Sequence, residues 1–130
     1  MNTFPKSEKL KKRKIIEELF KSGKIISTDS IKLLWIINPN DGKVPLQTGF
    51  SVSKRNFKRA VDRNRVKRLM RESFRLSKHN ISSFLEQNNL QCAFVFIYTN
   101  KEILPYKTIN EKINSILIRL QEVIRNQKSV

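Results

Sequence analysis

Apolar residues recur at helical spacing in three parts of the chain and predict three helices. The first part ends before Gly23, a residue typical of helix C-termini, and its apolar positions are Leu10, Ile15, Ile16, Leu19 and Phe20. In the last part a capping-box pattern, Thr108-x-x-Glu111, accompanies an apolar stripe of Ile109, Ile113, Ile116, Leu117, Leu120 and Ile124. This last helix is predicted to face the core.

The middle helix is predicted from about Phe57 to Ser77, because this stretch lacks glycine and proline and is rich in good helix formers. One side of it can be buried, since apolar or small residues recur there at steps of three and four: Val66, Leu69, Met70, Ser73 and Leu76. Another side carries basic residues at intervals of four, namely Arg63, Lys67, Arg71 and Arg75. A two-sided helix, apolar inside and basic outside, is therefore expected.

Runs rich in β-branched and aromatic residues predict strands, with a short one that begins at Ile25, before a polar break at Ser27–Ser30, and longer ones at Ile31–Ile37, Leu46–Ser53 and Ala93–Thr99. A turn is predicted at Asn38–Gly42. In the third strand the alternation places Thr48, Phe50 and Val52 on one side and small polar residues on the other, which could be left open to a ligand. The order of helices and strands predicts an α+β fold with one sheet.

The large net positive charge of this chain is unusual for a globular domain. Its 130 residues suit a single domain spanning 1–130, and a frayed tail is expected from Asn126. The net charge is +16, and the stretch Ser53–Lys78 holds eleven basic residues against two acids. A solvated surface helix normally mixes charges of both signs, so this composition favours a polyanionic partner. A membrane is disfavoured, because no apolar run approaches the roughly 18 residues needed to span one.

Residues for catalysis are scarce in the sequence. The chain has one histidine, His79, and one cysteine, Cys92, so clusters of histidine or cysteine cannot hold a metal. Its acids are scattered, and its three glycines form no phosphate-binding loop. We predict no catalytic residue and no metal site, and the single cysteine fits the reducing cytoplasm. Three aromatic residues could belong to the core or stack on bases: Phe20, Trp35 and Phe50.

The segment A-V-D-R-N-R-V-K-R-L-M-R-E-S-F closely resembles the signature of the bacterial ribonuclease P protein family. Further motifs follow the order and spacing of that family: K-L-K-K-R near the start, F-K-S-G at Phe20–Gly23, and G-F-S-V-S-K at Gly49–Lys54. The resemblance covers nearly the whole chain. It implies an α/β sandwich of two layers, with a mixed sheet of about four strands, three main helices and a left-handed βαβ crossover.

The resemblance also implies a function. Members of the family are protein subunits of an endoribonuclease in which a catalytic RNA, with bound Mg²⁺, removes the 5′ leader from precursor tRNA. Lys54 and the signature-helix residues Arg63, Asn64, Arg65, Lys67, Arg68 and Arg71 match RNA-binding positions of the family. With the other basic residues between them, the expected RNA-binding residues are Lys54, Arg55, Lys58, Arg59, Arg63, Asn64, Arg65, Lys67, Arg68 and Arg71. The expected leader-binding residues are Phe20, Trp35, Ser51 and Ser53. Ile16 departs from the pattern, because many members have an aromatic residue one turn before Phe20.

The alternative is a ribosomal-type RNA-binding protein with no enzymatic partner. A sequence-specific DNA-binding protein is disfavoured, since no helix precedes the basic helix at helix-turn-helix spacing. The expected partners are therefore ribonuclease P RNA and precursor tRNA, with neither DNA nor a membrane among them.

Overall fold

The computed structural model describes residues 9–10, 13–37 and 46–128. The predicted turn at 38–42 lies outside these residues. The described elements are, in chain order, α1 (Arg13–Ser22), β1 (Lys24–Ser27), β2 (Ile31–Ile37), β3 (Leu46–Val52), α2 (Ala60–Gln87), β4 (Cys92–Tyr98) and α3 (Tyr106–Lys128). The predicted order of helices and strands is thus confirmed. No described helix combines the length and the apolar character that crossing a membrane requires.

The four strands form one mixed sheet in the spatial order β1-β2-β4-β3. β2 pairs antiparallel with both β1 and β4, whereas β3 and β4 are parallel. Parallel neighbours require a crossover connection, and here α2 provides it. The α+β class with a mixed sheet and three helices is confirmed, and the handedness of the crossover stays a prediction.

One face of the sheet is covered by α2 and α3 and contains the larger core. Its aromatic side chains include Trp35 of β2 and Phe94 and Phe96 of β4, which pack with Phe74 of α2. The predicted stripe of α3 is buried there in full: Ile109, Ile113, Ile116, Leu117, Leu120 and Ile124. We call this side the closed face.

The opposite face carries α1 and a smaller, aliphatic core. Ile15 and Leu19 of α1 pack against Leu34, Ala93 and Val95 of the two central strands. Near β3, Leu10 donates its backbone N–H to the Thr48 carbonyl (3.0 Å), so the chain ahead of α1 pairs with the free edge of the sheet. We call this side the α1 face, and α1 covers only part of it.

α2 is longer than the sequence predicted, because it continues through Gln87 instead of ending near Ser77. Its actual end is marked by Asn89, whose φ of 54° is left-handed. The Asn89 N–H bonds the Glu86 carbonyl, and the Leu90 N–H bonds the Leu85 carbonyl, at 3.1 and 2.8 Å. This is a Schellman arrangement with asparagine where glycine is most common, so the usual glycine stop signal was absent.

Two further predictions are corrected. Leu76 was expected in the core, but 55% of its surface is exposed, and Phe74 is buried instead. α3 begins at Tyr106, so Thr108 lies inside the helix and does not cap it. At its other end α3 runs to Lys128 and includes the start of the predicted frayed tail.

Candidate nucleic-acid interface

The ten predicted RNA-binding residues occupy a continuous stretch of chain, residues 54–71, around the start of α2. Eight of them are exposed, namely Lys54, Arg55, Lys58, Arg59, Asn64, Arg65, Arg68 and Arg71. Arg63 and Lys67 are half-buried. We call these ten residues the basic surface.

The first part of the basic surface is a loop of residues 53–59, which we call the crossover loop. The Phe57 N–H bonds the Ser53 carbonyl (3.1 Å), and the Arg55 N–H bonds the Ser53 hydroxyl oxygen (3.0 Å). Phe57 is buried beside Tyr98, with ring centroids 6.0 Å apart. The backbone is thus held while the four basic side chains of the loop point to solvent.

The second part is the first three turns of α2, where the basic side chains differ in their surroundings. Arg63 donates from Nη1 to the carbonyls of Phe57 (2.8 Å) and Lys58 (2.9 Å). Arg71 places its guanidinium over the Phe50 ring, 5.7 Å from the centroid. Arg68 lies exposed between these two positions. The basic row expected from the sequence, Arg63, Lys67, Arg71 and Arg75, is therefore divided. Arg63 binds the loop backbone, Arg71 lies over an aromatic ring, Arg75 pairs with Glu72, and Lys67 is half-buried.

Acidic groups do little to neutralise the basic surface. Within the described part of the chain, none of its ten residues forms an ion pair. Glu72, one of three acids in α2, pairs instead with Arg75, whose hydrogen bond lowers the pKa of the Glu72 carboxyl. Unpaired cations of one sign concentrate positive potential, which attracts a polyanion.

A cleft lies on the α1 face, between α1 and the sheet. Its volume is about 250 Å³, and its lining residues are Phe20, Gly23, Ile25, Lys32, Leu34 and Ile97. Phe20 and Ile25 are 61% and 62% exposed, so two large apolar side chains are open to solvent in the same cleft. We call this feature the α1 cleft. It offers an aromatic face, apolar walls and one ammonium group.

Strand register connects the α1 cleft to Ser51. Ser51 of β3 pairs with Ile97 of β4, and Ile97 pairs with Lys32 of β2, so all three lie in one row across the sheet. Ser51 is half-buried at the end of this row. Two residues later, Ser53 is exposed and holds the first turn of the crossover loop. The row therefore leads from the α1 cleft towards the basic surface.

Sequence reasoning missed Ile25, Lys32 and Ile97 as candidates. Alternation along β2 does place Lys32 on the same side as Leu34, so a signal for Lys32 was present. Its neighbour Ile97 lies sixty-five residues away, and only the register of the sheet brings the two together.

Trp35 is a correction among the predicted leader-binding residues. It is 1% exposed on the closed face, and Lys24 covers its ring with Nζ 5.4 Å from the centroid. Adjacent residues of a strand point to opposite faces, so Trp35 points away from the α1 cleft while Leu34 lines it. A base cannot stack on a ring that is buried in this way.

The remaining reactive groups lie apart from one another. Burial raises the pKa of the Cys92 thiol to about 12, which keeps this side chain protonated and unreactive at neutral pH. His79 is exposed on α2, beyond the basic surface. Among the described residues, no three of the histidine, cysteine, aspartate or glutamate side chains come together as a metal site.

Known proteins resemble this chain along most of its length. A family model described as Ribonuclease P matches residues 4–121. The ribonuclease P protein component of Porphyromonas gingivalis is 31% identical over 115 residues, which cover 88% of this chain and 84% of the relative. That of Chlorobium phaeobacteroides is 33% identical and covers 95% and 92%. The solved RNase P protein of Thermotoga maritima has a TM-score of 0.68 at 27% identity and covers 86% and 96%.

Proposed function

The chain belongs to the ribonuclease P protein family, and from this membership we propose that its basic surface binds the catalytic RNA while its α1 cleft receives the 5′ leader of precursor tRNA. As a member, it is the protein component of the endoribonuclease that matures the 5′ ends of tRNA. The two surfaces divide recognition between enzyme RNA and substrate.

The observation that carries the first half is the density of unpaired cations on an ordered backbone. Guanidinium groups bind phosphate oxygens bidentately, and an ammonium group adds a point charge. Because the crossover loop is already held by its own hydrogen bonds, little ordering entropy is lost when its cations meet RNA. Asn64, exposed among them, can both donate and accept at a sugar or base edge.

The α1 cleft supports the second half. A leader varies in sequence, so it must be held by its backbone and by stacking, without readout of particular bases. Phe20 provides an exposed ring for stacking, and Lys32 provides a cation within the same cleft. The row through Ile97 to Ser51 provides a path along which a single strand could lie.

Catalysis and metal binding are assigned to the RNA. The described residues do not fit a Mg²⁺ site, because Mg²⁺ prefers several oxygen ligands and the acids here are isolated or paired with cations. We therefore place Mg²⁺ on the RNA subunit and the substrate. The proposed location is the cytoplasm, where precursor tRNA is made.

Reconstitution tests the proposal. The protein is added to ribonuclease P RNA and precursor tRNA of the same organism at low Mg²⁺, where RNA alone is inefficient. We expect stimulated cleavage with the RNA and none with protein alone. A ribosomal-type protein would bind RNA without stimulating cleavage. Cleavage of precursor tRNA by protein from which all RNA has been removed by nuclease treatment would contradict the assignment of catalysis to RNA.

Arg68→Ala tests the basic surface. Binding to the catalytic RNA should weaken by about 1–3 kcal/mol, the value of a hydrogen bond to a charged group, in a filter-binding titration. Stability should change by less than about 0.5 kcal/mol because Arg68 is exposed. The matched control is Arg125→Ala, which removes the same charge beside Phe84, about 24 Å further along α2. Equal losses of RNA affinity for the two variants would mean that the protein's net charge, and not the position of Arg68, determines the binding.

The salt dependence of the unmodified protein gives a second measure of the same surface. If about five phosphates are neutralised, log K should fall against log salt with a slope of roughly −3.5 to −4.5. A flat dependence would contradict an electrostatic interface.

A further inference from the structure

Arg63 differs from the rest of the basic surface in where it lies on α2. Met70 follows it by seven residues, which is two helical turns, so both point to the same side of the helix. Met70 is fully buried against the sheet, and Arg63 is accordingly half-buried. Its neighbours in sequence, Asn64 and Arg65, point outward.

The guanidinium of Arg63 closes the crossover loop from the helix side. Nη1 donates to the carbonyls of both Phe57 and Lys58, which precede the first helical residue and have no helical partners. Arg59 stands at the N-cap position and supplies no side-chain cap. Among the described residues, Arg63 is thus the side chain of α2 that binds the backbone of the crossover loop.

Other contacts hold the opposite side of the loop. Asn56 donates from Nδ2 to the Thr99 carbonyl (3.3 Å), and Phe57 packs on Tyr98. These contacts fix the loop to the end of β4, and Arg63 fixes it to α2. Lys58 follows the first set of contacts directly in sequence, and Arg63 binds its carbonyl, so its exposed side chain has a defined direction.

We propose that Arg63 is a positioning residue, whose two hydrogen bonds hold the crossover loop in the shape that presents Lys54, Arg55, Lys58 and Arg59 to the RNA. This inference rests on the proposed function for its RNA-binding half. Its structural half concerns the free protein and can be tested without any RNA.

Amide hydrogen exchange of the free protein, followed by NMR, tests the structural half. The reporter is the Phe57 N–H, which is bonded to the Ser53 carbonyl within the loop. In Arg63→Ala this amide should exchange about tenfold faster or more, as expected when charge-assisted hydrogen bonds that oppose opening are lost. Arg68→Ala is the matched control and should leave the rate unchanged, as should all core amides in both variants.

A double-mutant cycle tests the RNA-binding half. Lys58→Ala removes a cation of the loop but keeps the carbonyl that Arg63 binds. If Arg63 acts through the loop, the combined fold-loss in RNA affinity for Arg63→Ala with Lys58→Ala should be clearly smaller than the product of the single losses. In the control cycle, the combined fold-loss in RNA affinity for Arg68→Ala with Lys58→Ala should equal the product of the two single losses.

The exchange rate and the RNA affinities together decide whether Arg63 acts by positioning the crossover loop. Faster exchange of Phe57 together with a combined loss below the product is the expected result. An unchanged exchange rate with weakened RNA binding would overturn the proposal and make Arg63 a direct phosphate ligand. Faster exchange with unchanged RNA affinity would also overturn it, since the loop shape would then be irrelevant to binding. If the unmodified protein fails to bind the RNA, the proposed function fails, whereas the exchange result still reports on the loop.

Discussion

The two faces of the sheet differ in the kind of side chain they carry and in how fully they are covered. The closed face holds Trp35, Phe94 and Phe96 beneath two helices of 28 and 23 residues. The α1 face holds aliphatic and small residues beneath one helix of 10 residues. Large rings therefore stabilise the first face, whereas the second keeps a cleft with an exposed ring at its edge.

Because the two faces are covered to different extents, an aromatic residue has a different role on each of them. Trp35 and Phe20 were both candidates for stacking, yet Trp35 is 1% exposed and Phe20 is 61% exposed. A buried ring contributes to stability through the area it removes from water, and an exposed ring is available to a base. The comparison can be tested by changing residues on each face and measuring stability and leader recognition separately.

Trp35→Ala should have the largest effect. Removing this fully buried side chain from the closed face should lower the free energy of unfolding by about 3–5 kcal/mol, measured by denaturant titration. Discrimination between precursor and mature tRNA by the folded fraction should not change. A stable variant that has lost leader discrimination would mean that Trp35 reaches the substrate after all.

Gly23→Ala should disturb the α1 face by weakening the docking of α1. A methyl group at Gly23 would lie 2.3 Å from the Leu19 carbonyl oxygen and 2.9 Å from Leu34 Cδ1, so the chain must shift, at a cost of about 1–3 kcal/mol. Gly49→Ala on the same face is the control, since the nearest atoms there are 3.6 Å away, an ordinary contact distance. Thermal melting compares the two, and equal destabilisation would contradict the steric explanation.

Phe20→Ala should leave stability within about 0.5 kcal/mol of the unmodified protein, because its ring is mostly in water. If one base stacks on Phe20, the holoenzyme should lose about 1–3 kcal/mol of its preference for precursor over mature tRNA. Competition binding with the two tRNAs measures this preference.

Ile118→Ala is the matched control for Phe20→Ala. Ile118 has almost the same exposure, 60%, but lies on α3 and outside the α1 cleft. Ile118→Ala should change neither the stability of the protein nor the preference of the holoenzyme for precursor over mature tRNA. A large drop in melting temperature for Phe20→Ala with unchanged leader preference would make Phe20 a packing residue and remove the stacking hypothesis.

Much of this protein follows from the sequence by itself. β2 was predicted with its observed bounds, and β3 and β4 to within one residue at their ends, because a run of β-branched, aromatic and apolar residues is a local property. The apolar stripe of α3 follows from helical periodicity for the same reason. The excess of positive charge, which indicates a polyanionic partner, is a matter of composition alone.

Other properties were decided by the tertiary structure, since they depend on which distant segments meet. The pairing of Ile97 with Lys32 brings two lining residues of the α1 cleft together, and the pairing of Ile97 with Ser51 extends the row beyond it; no local pattern specifies that register. Arg63 belonged to a basic row in sequence, but the packing of α2 on the sheet turned it towards the loop backbone. Hydrophobic periodicity treats Phe20 and Trp35 alike, because both are large aromatic residues, and it does not tell which ring is exposed. Only the placement of a short helix on one face and two long helices on the other left the first ring in solvent and buried the second.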